Sequence, residues 1–248
     1  MSSAHDSVPS ANAAQFDPTE DDVFARIAGR YDRLCDVFSL FIHRHWKARM
    51  ARMIAAHASG VLLDVASGTG DIPLRILRSR PIRESGGGAV LLVTDICPQM
   101  LDMAKRKLAG AAAAQFARMD AHDLRAVSTG SIDVFSISFG MKICDRAKVI
   151  SEAVRVLKPG GRFYCLEAAR IPFAPLHWLY LKYMGWCLPF IARIAVNDAS
   201  AYDYLLRGIH DFPTQEEFAH ELTAAGFEKV AFENLTLGIV ALHSGRKR

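Results

Sequence analysis

Apolar positions follow two rhythms along the chain. From Val23 to about residue 58 they recur at helical spacing, with Val23, Ile27 and Tyr31 on one face. Ala48 to His57 is rich in good helix formers. From Val61 short apolar runs alternate with amphipathic stretches. Val61-Leu62-Leu63-Asp64-Val65 reads as a buried strand that ends in a glycine turn, followed by a helix over Ile72 to Arg80. Val90 to Thr94 is a second strand, and Pro98 to Leu108 a helix with proline in its first turn. Gln115 to Met119 and Ile132 to Phe139 are predicted as strands three and four. Ala147 to Leu157 is a helix that Pro159-Gly160-Gly161 ends, and Arg162 to Glu167 is strand five.

Further on, Thr214 with Glu217 three residues later marks a capped helix that runs to Ala225 and closes at Gly226. Phe227 to Leu235 and Leu237 to His243 then read as two antiparallel strands. Strands alternating with helices predict an α/β fold: a Rossmann-like, mostly parallel, seven-stranded, doubly wound sheet ending in an antiparallel hairpin. That is the layout of class I methyltransferases. The expected organisation is a disordered leader over 1–22 and one domain over 23–248. Within the domain, 23–58 is a helical lid, 59–167 the nucleotide-binding core, 168–212 a helical substrate insert and 213–248 the last helix and hairpin.

Composition narrows the function. The 248 residues carry a mild net charge of +4 with no basic stripe, so no nucleic-acid partner is expected, and Arg246-Lys247-Arg248 reads as a solvated tail. The five cysteines (Cys35, Cys97, Cys144, Cys165 and Cys187) have neither disulfide-framework nor metal-ligand spacing, so a reducing compartment and no metal are expected. Residues 1–22 have no Lys or Arg and no apolar signal core, which argues against secretion. Pro175 to Val196 is apolar and aromatic, but His177, Lys182, Gly185, Pro189 and Arg193 interrupt it, so it is not expected to span a bilayer.

The sharpest motif is Asp64-Val65-Ala66-Ser67-Gly68-Thr69-Gly70-Asp71, at the carboxyl edge where open α/β sheets bind ligands. Gly68 and Gly70 allow close backbone approach. Pro73 stands where a dinucleotide fingerprint needs its third glycine, and Asp71 is expected to repel a pyrophosphate. A phosphate-free nucleoside with a sulfonium and an ammonium, S-adenosylmethionine, fits better. Asp95, at the end of strand two, suits the ribose hydroxyls, and Asp120 with Ala121 after strand three suits the adenine amino group. Ser138 ends strand four beside the expected methyl position. Neither a Pro-Cys nucleophile nor an Asn/Asp-Pro-Pro-aromatic turn is present, which disfavours methylation of nucleic acid bases.

The chain resembles the ubiquinone/menaquinone biosynthesis C-methyltransferases from about Val23 to its end. The matching pieces include Tyr31-Asp32, His43-Arg44-x-Trp46-Lys47, Ala66-x-Gly68-Thr69-Gly70-Asp71 and Arg155-Val156-Leu157-Lys158-Pro159-Gly160-Gly161-Arg162. Two are more telling: Asn197-Asp198-Ala199 followed by Tyr202-x-Tyr204-Leu205, and the ending Asn234-Leu235-Thr236-x-Gly238-Ile239-Val240-Ala241-Leu242-His243. The resemblance implies S-adenosylmethionine contacts at Thr69, Asp95, Asp120, Ala121 and Ser138. It also implies methylation of a ring carbon of a polyprenylated quinol, a benzoquinol or alternatively a demethylmenaquinol.

The family's Phe-Gly-Leu-Arg-Asn is here Phe139-Gly140-Met141-Lys142-Ile143, and its Glu-Ser-Ile-Arg is Arg207-Gly208-Ile209-His210. A changed aromatic substrate or a rearranged base is therefore expected, or else a catalytically weak scaffold member. Ring methylation needs a base, or a cation that stabilises a phenolate. Lys142 is the first candidate, followed by His210 and Tyr202, with Asp211 and Asp32 behind them. The expected setting is the cytoplasmic or mitochondrial matrix side, peripheral to the membrane. A homodimer or a quinone-biosynthesis complex is the expected assembly.

Overall fold

The computed structural model describes residues 23–57, 60–79, 89–195 and 212–248. The leader and the Asn197 to Asp211 region, with Tyr202, His210 and Asp211, lie outside the described residues. Two short helices, α1 (Val23–Ile27) and α2 (Tyr31–Phe38), are joined by a 3-10 turn and precede α3 (His43–Ala55). The strands are β1 (Val61–Val65), β2 (Val90–Asp95), β3 (Ala114–Arg118), β4 (Ile132–Ser138), β5 (Leu157–Ala168), β6 (Phe227–Leu235) and β7 (Val240–Lys247). Between them run α4 (Asp71–Ser79), α5 (Pro98–Lys107), α6 (Arg146–Val156), α7 (Ala174–Ala195) and α8 (Gln215–Ala224).

The sheet order is β3-β2-β1-β4-β5-β7-β6, and β7 alone is antiparallel to its neighbours. Successive residues on a strand point to opposite faces, and the apolar runs exploit this. Leu63, Phe135 and Phe163 pack under α6 and α8 with Val149, Ile150, Phe218 and Phe227. Their neighbours Leu62, Val134 and Tyr164 pack on the other face with Met50, Ile54, Ile72 and Ile76 of α3 and α4. Each large side chain so buried stabilises the sheet by about 1.5–3 kcal/mol.

Thr214 caps α8 through a full capping box with Glu217. His243, buried in β7, meets the carbonyl of Gln215 in the first turn of α8 at 3.0 Å through Nε2.

Three expectations change. The region predicted as a lid divides: Phe24 and Tyr31, from α1 and α2, line the cavity at the carboxyl edge of the sheet. Helix α3, by contrast, buries Trp46, Met50, Ala51 and Ile54 in the core and is part of the layer. The last strand starts at Val240, because Thr236 and Leu237 adopt left-handed φ values of 48° and 60° that no strand accommodates. The basic end is a strand and not a tail: Arg246 pairs with Glu228, and Lys247 donates to the Leu157 carbonyl at 2.6 Å. Among the described residues no helix is long and apolar enough to cross a membrane.

Candidate active site

Strand order reverses beside β1: β2 and β3 build outward on one side, β4 and β5 on the other. The crevice at such a switch point is where open α/β sheets bind ligands. Here it opens into a cavity lined by the glycine turn and the carboxyl tips of β2, β3 and β4. Gly68 sits in the wall at φ 55°, and a Cβ there would meet nothing within 4 Å, so the backbone is bare toward open space. Gly70, at φ 78°, has the opposite reason: a Cβ would lie 3.0 Å from that of Ala104 on α5. Ala66 and Phe139 also line the cavity and hold left-handed φ values of 47° and 55°, so backbone strain gathers where the ligand would sit.

Asp95 is nearly buried, and its two oxygens accept from Gly68 N at 2.7 Å and Cys97 N at 2.8 Å. It therefore builds the turn as well as facing the cavity. A carboxylate has about four lone-pair positions, so capacity remains for a ligand's hydroxyl. Burial pushes its pKa up. Asp120, Ala121 and Ser138 also line the cavity.

Asp64 does not. It is 1% exposed, accepts from Ser136 Oγ at 2.5 Å, and its Oδ2 is buried with no hydrogen-bond partner. Burial pushes its pKa up to about 7.

Thr69 also differs from expectation. Its hydroxyl faces an ion cluster, donating to Asp32 Oδ1 at 2.6 Å and accepting from Lys107 Nζ at 2.8 Å. Lys107 reaches Asp32 Oδ2 at 2.6 Å and Asp71 Oδ1 at 3.0 Å as well, which uses all three ammonium donors. Asp71 accepts in addition from Lys47 Nζ at 2.8 Å. Burial alone would raise the Asp71 pKa, but the two lysines pull it well below the usual carboxylate range. With two cations on it, Asp71 cannot be what repels a pyrophosphate, contrary to the sequence argument.

Discrimination rests on the cavity wall, whose lining among the described residues includes Asp95 and Asp120 but neither Lys nor Arg. That wall and the open space at Gly68 fit a cationic, phosphate-free nucleoside.

Lys142 is corrected most clearly. Its side chain is 4% exposed and does not line the cavity; Nζ meets Glu167 Oε1 at 2.8 Å and the Phe139 carbonyl at 2.5 Å. Glu167 is itself 1% exposed and accepts from Lys142 N and Ala168 N. The ammonium thus clamps the turn carrying Phe139 and Ile143 and presents no free base. Asp32 is tied to Thr69 and Lys107 in the ion cluster and does not line the cavity.

Several cavity residues were not among the site residues expected from the sequence. Phe24, Tyr31, Cys97 and Cys144 line the cavity. The Cys35 thiol and then burial raise the Tyr31 pKa, and burial takes Cys144 to about 12, so neither is a ready base or nucleophile. His122, another lining residue, stands two positions after Asp120, a spacing that was the one available hint. Lys107 had none, because its partners lie on segments far away in sequence.

A switch-point cavity with carboxylates at successive strand tips and a bare glycine turn defines a class I S-adenosylmethionine-dependent methyltransferase. Solved structures share the fold at low identity. An O-methyltransferase family protein from Burkholderia thailandensis gives a TM-score of 0.64 at 17% identity, covering 90% of this chain and 61% of its own. A Thermotoga maritima SAM-dependent methyltransferase gives 0.58 at 15%, covering 91% and 99%. Residues 14–247 match the ubiE/COQ5 methyltransferase family, and the chain belongs to it. A ubiquinone/menaquinone biosynthesis C-methyltransferase UbiE from Acidiphilium cryptum is 41% identical over 228 residues, covering 90% of this chain and 88% of that one. The mitochondrial 2-methoxy-6-polyprenyl-1,4-benzoquinol methylase of Schizosaccharomyces pombe is 37% identical over 237 residues, covering 91% and 78%. The chain is a C-methyltransferase of ubiquinone/menaquinone biosynthesis.

Proposed function

We propose that the protein methylates a ring carbon of a polyprenylated benzoquinol. The observation that carries this reading is the make-up of the cavity. Polar groups that suit a nucleoside gather at β2 and β3, while Phe24, Phe139 and Ile143 give the remainder an apolar wall for a ring. S-adenosylmethionine supplies a methyl group activated on its sulfonium when bound.

The chain's own residues do the rest. Asp95 holds the ribose, and Asp120 and Ala121 the adenine. The Lys142–Glu167 pair fixes the Phe139 turn against which the ring is positioned and from which water is excluded. With Lys142 and Asp32 committed elsewhere, the proton acceptor is assigned to His210, Tyr202 or Asp211. Full-length protein should transfer methyl to a demethylated benzoquinol faster than to a demethylmenaquinol, and H210A and Y202F should alter the pH dependence of that rate. A preference for the naphthoquinol would reverse the ring assignment.

The tail's source is assigned to a bilayer surface. Leu40 and Phe41 after α2, and Phe173, Trp178, Leu179 and Trp186 on or beside α7, are exposed, and α2 packs against α7. Arg44 lies over the Phe41 ring at 5.1 Å and Lys182 over Trp178 at 5.6 Å. Aromatics with cations beside them suit an anionic headgroup layer.

A further inference from the structure

We infer that His122 is a positioning residue, which holds the Asp120 carboxylate in place to read the exocyclic amine of the cofactor's adenine and ties that reading to the start of α6. The inference rests on the cofactor assignment above and goes beyond it in naming the group that sets specificity for the base.

His122 Nδ1 lies 2.7 Å from Asp120 Oδ1, and its backbone N donates to the same oxygen at 2.9 Å. Its other ring nitrogen, Nε2, lies 2.9 Å from the backbone N of Asp145. A backbone N–H can only donate, so Nε2 accepts; a carboxylate accepts, so Nδ1 carries the proton. The partners on both sides therefore fix one neutral tautomer.

The consequence for Asp120 is geometric. Both bonds fall on Oδ1, and the Asp120 carbonyl accepts from Asp123 N at 3.0 Å, so the residue is pinned and Oδ2 is left for a ligand. The Asp120 side chain is 42% exposed, and a carboxylate that open would otherwise sample several rotamers. His122 removes that freedom. Its ring also lines the cavity, in the same wall as Ile143 and Cys144, and Asp145 caps α6 through Lys148 N. One imidazole therefore joins the loop after β3 to the loop after β4, the two walls between which the nucleoside lies.

A carboxylate oxygen held in this way accepts from an amine and repels a carbonyl. It should thus separate adenine from its deaminated counterpart, which carries an oxygen at that position. The test is calorimetric binding of S-adenosylhomocysteine and S-inosylhomocysteine to the full chain. The wild type should prefer the adenosyl form by about tenfold or more. H122A should narrow the preference to about threefold or less, chiefly through weaker adenosyl binding. H122N, whose amide can donate from near the Nδ1 position, should keep most of it.

Undiminished preference in H122A, or none in the wild type, overturns the inference. Uptake of neither nucleoside by folded wild type overturns the cofactor assignment itself, and this inference with it. Should H122A fail to fold, 15N spectra of the wild type, assigned with H122Q, decide: an Nδ1–H imidazole supports the inference, and an Nε2–H imidazole overturns it.

Discussion

Asp64 shows how much one residue's surroundings matter. It is the last residue but one of β1, where a strand would ordinarily place an apolar side chain, and it is buried between β2 and β4 with one oxygen on Ser136 and the other unpartnered. Its pKa of about 7 stands above the ordinary carboxylate value of about 4. A carboxyl that holds its proton more tightly when folded adds stability below its unfolded pKa. That contribution is lost as pH rises through the folded pKa, here between about 4 and 7. Urea unfolding at a series of pH values should show D64N lacking this decline relative to wild type. A wild type and variant with parallel pH profiles would contradict the raised pKa.

Among the elements, α2 and the glycine turn are joined by one ammonium. Lys107, at the end of α5, meets Asp32 on α2, Thr69 in the turn and Asp71 at the start of α4. The apolar contact beneath it, Ile27 and Leu34 against Cys97 and Met100, seats the same helices over the cavity. If α1 and α2 act as a lid, this cluster is its latch. Charge-assisted bonds of this kind are worth about 1.5–3 kcal/mol each. Lys107→Met should therefore raise the KM for S-adenosylmethionine about tenfold while kcat changes little, and speed cofactor release in stopped-flow measurements. Equal losses in kcat and kcat/KM would mean that the lysine serves the chemical step instead.

For the whole molecule, the exposed aromatics of the α2–α3 connection and α7 gather apolar surface where α2 packs against α7. Replacing Phe41 and Trp178 together with serine should lower co-sedimentation with anionic vesicles by about tenfold or more. Turnover of a short-tailed, water-soluble quinol should stay near wild type. Unchanged vesicle binding would remove the membrane assignment and leave the face for another occupant.

The sequence by itself determined the order of strands and helices, because the periods of 2 and 3.6 are local and the capping box at Thr214 and the glycine turn after β1 carry their chemistry in adjacent residues. It located Asp95, Asp120, Ala121 and Ser138 at the cavity for the same reason: each follows a strand, and strand ends meet at one edge. Where β7 starts depended on the left-handed turn at Thr236 and Leu237, which apolar alternation does not reveal. Only the tertiary structure paired Lys142 with Glu167, turned the Thr69 hydroxyl toward Asp32 and Lys107, neutralised Asp71 with two lysines and set His122 between Asp120 and Asp145. A side chain's partner is decided by what the fold brings within about 3 Å, and here most of those partners come from segments that no local pattern connects.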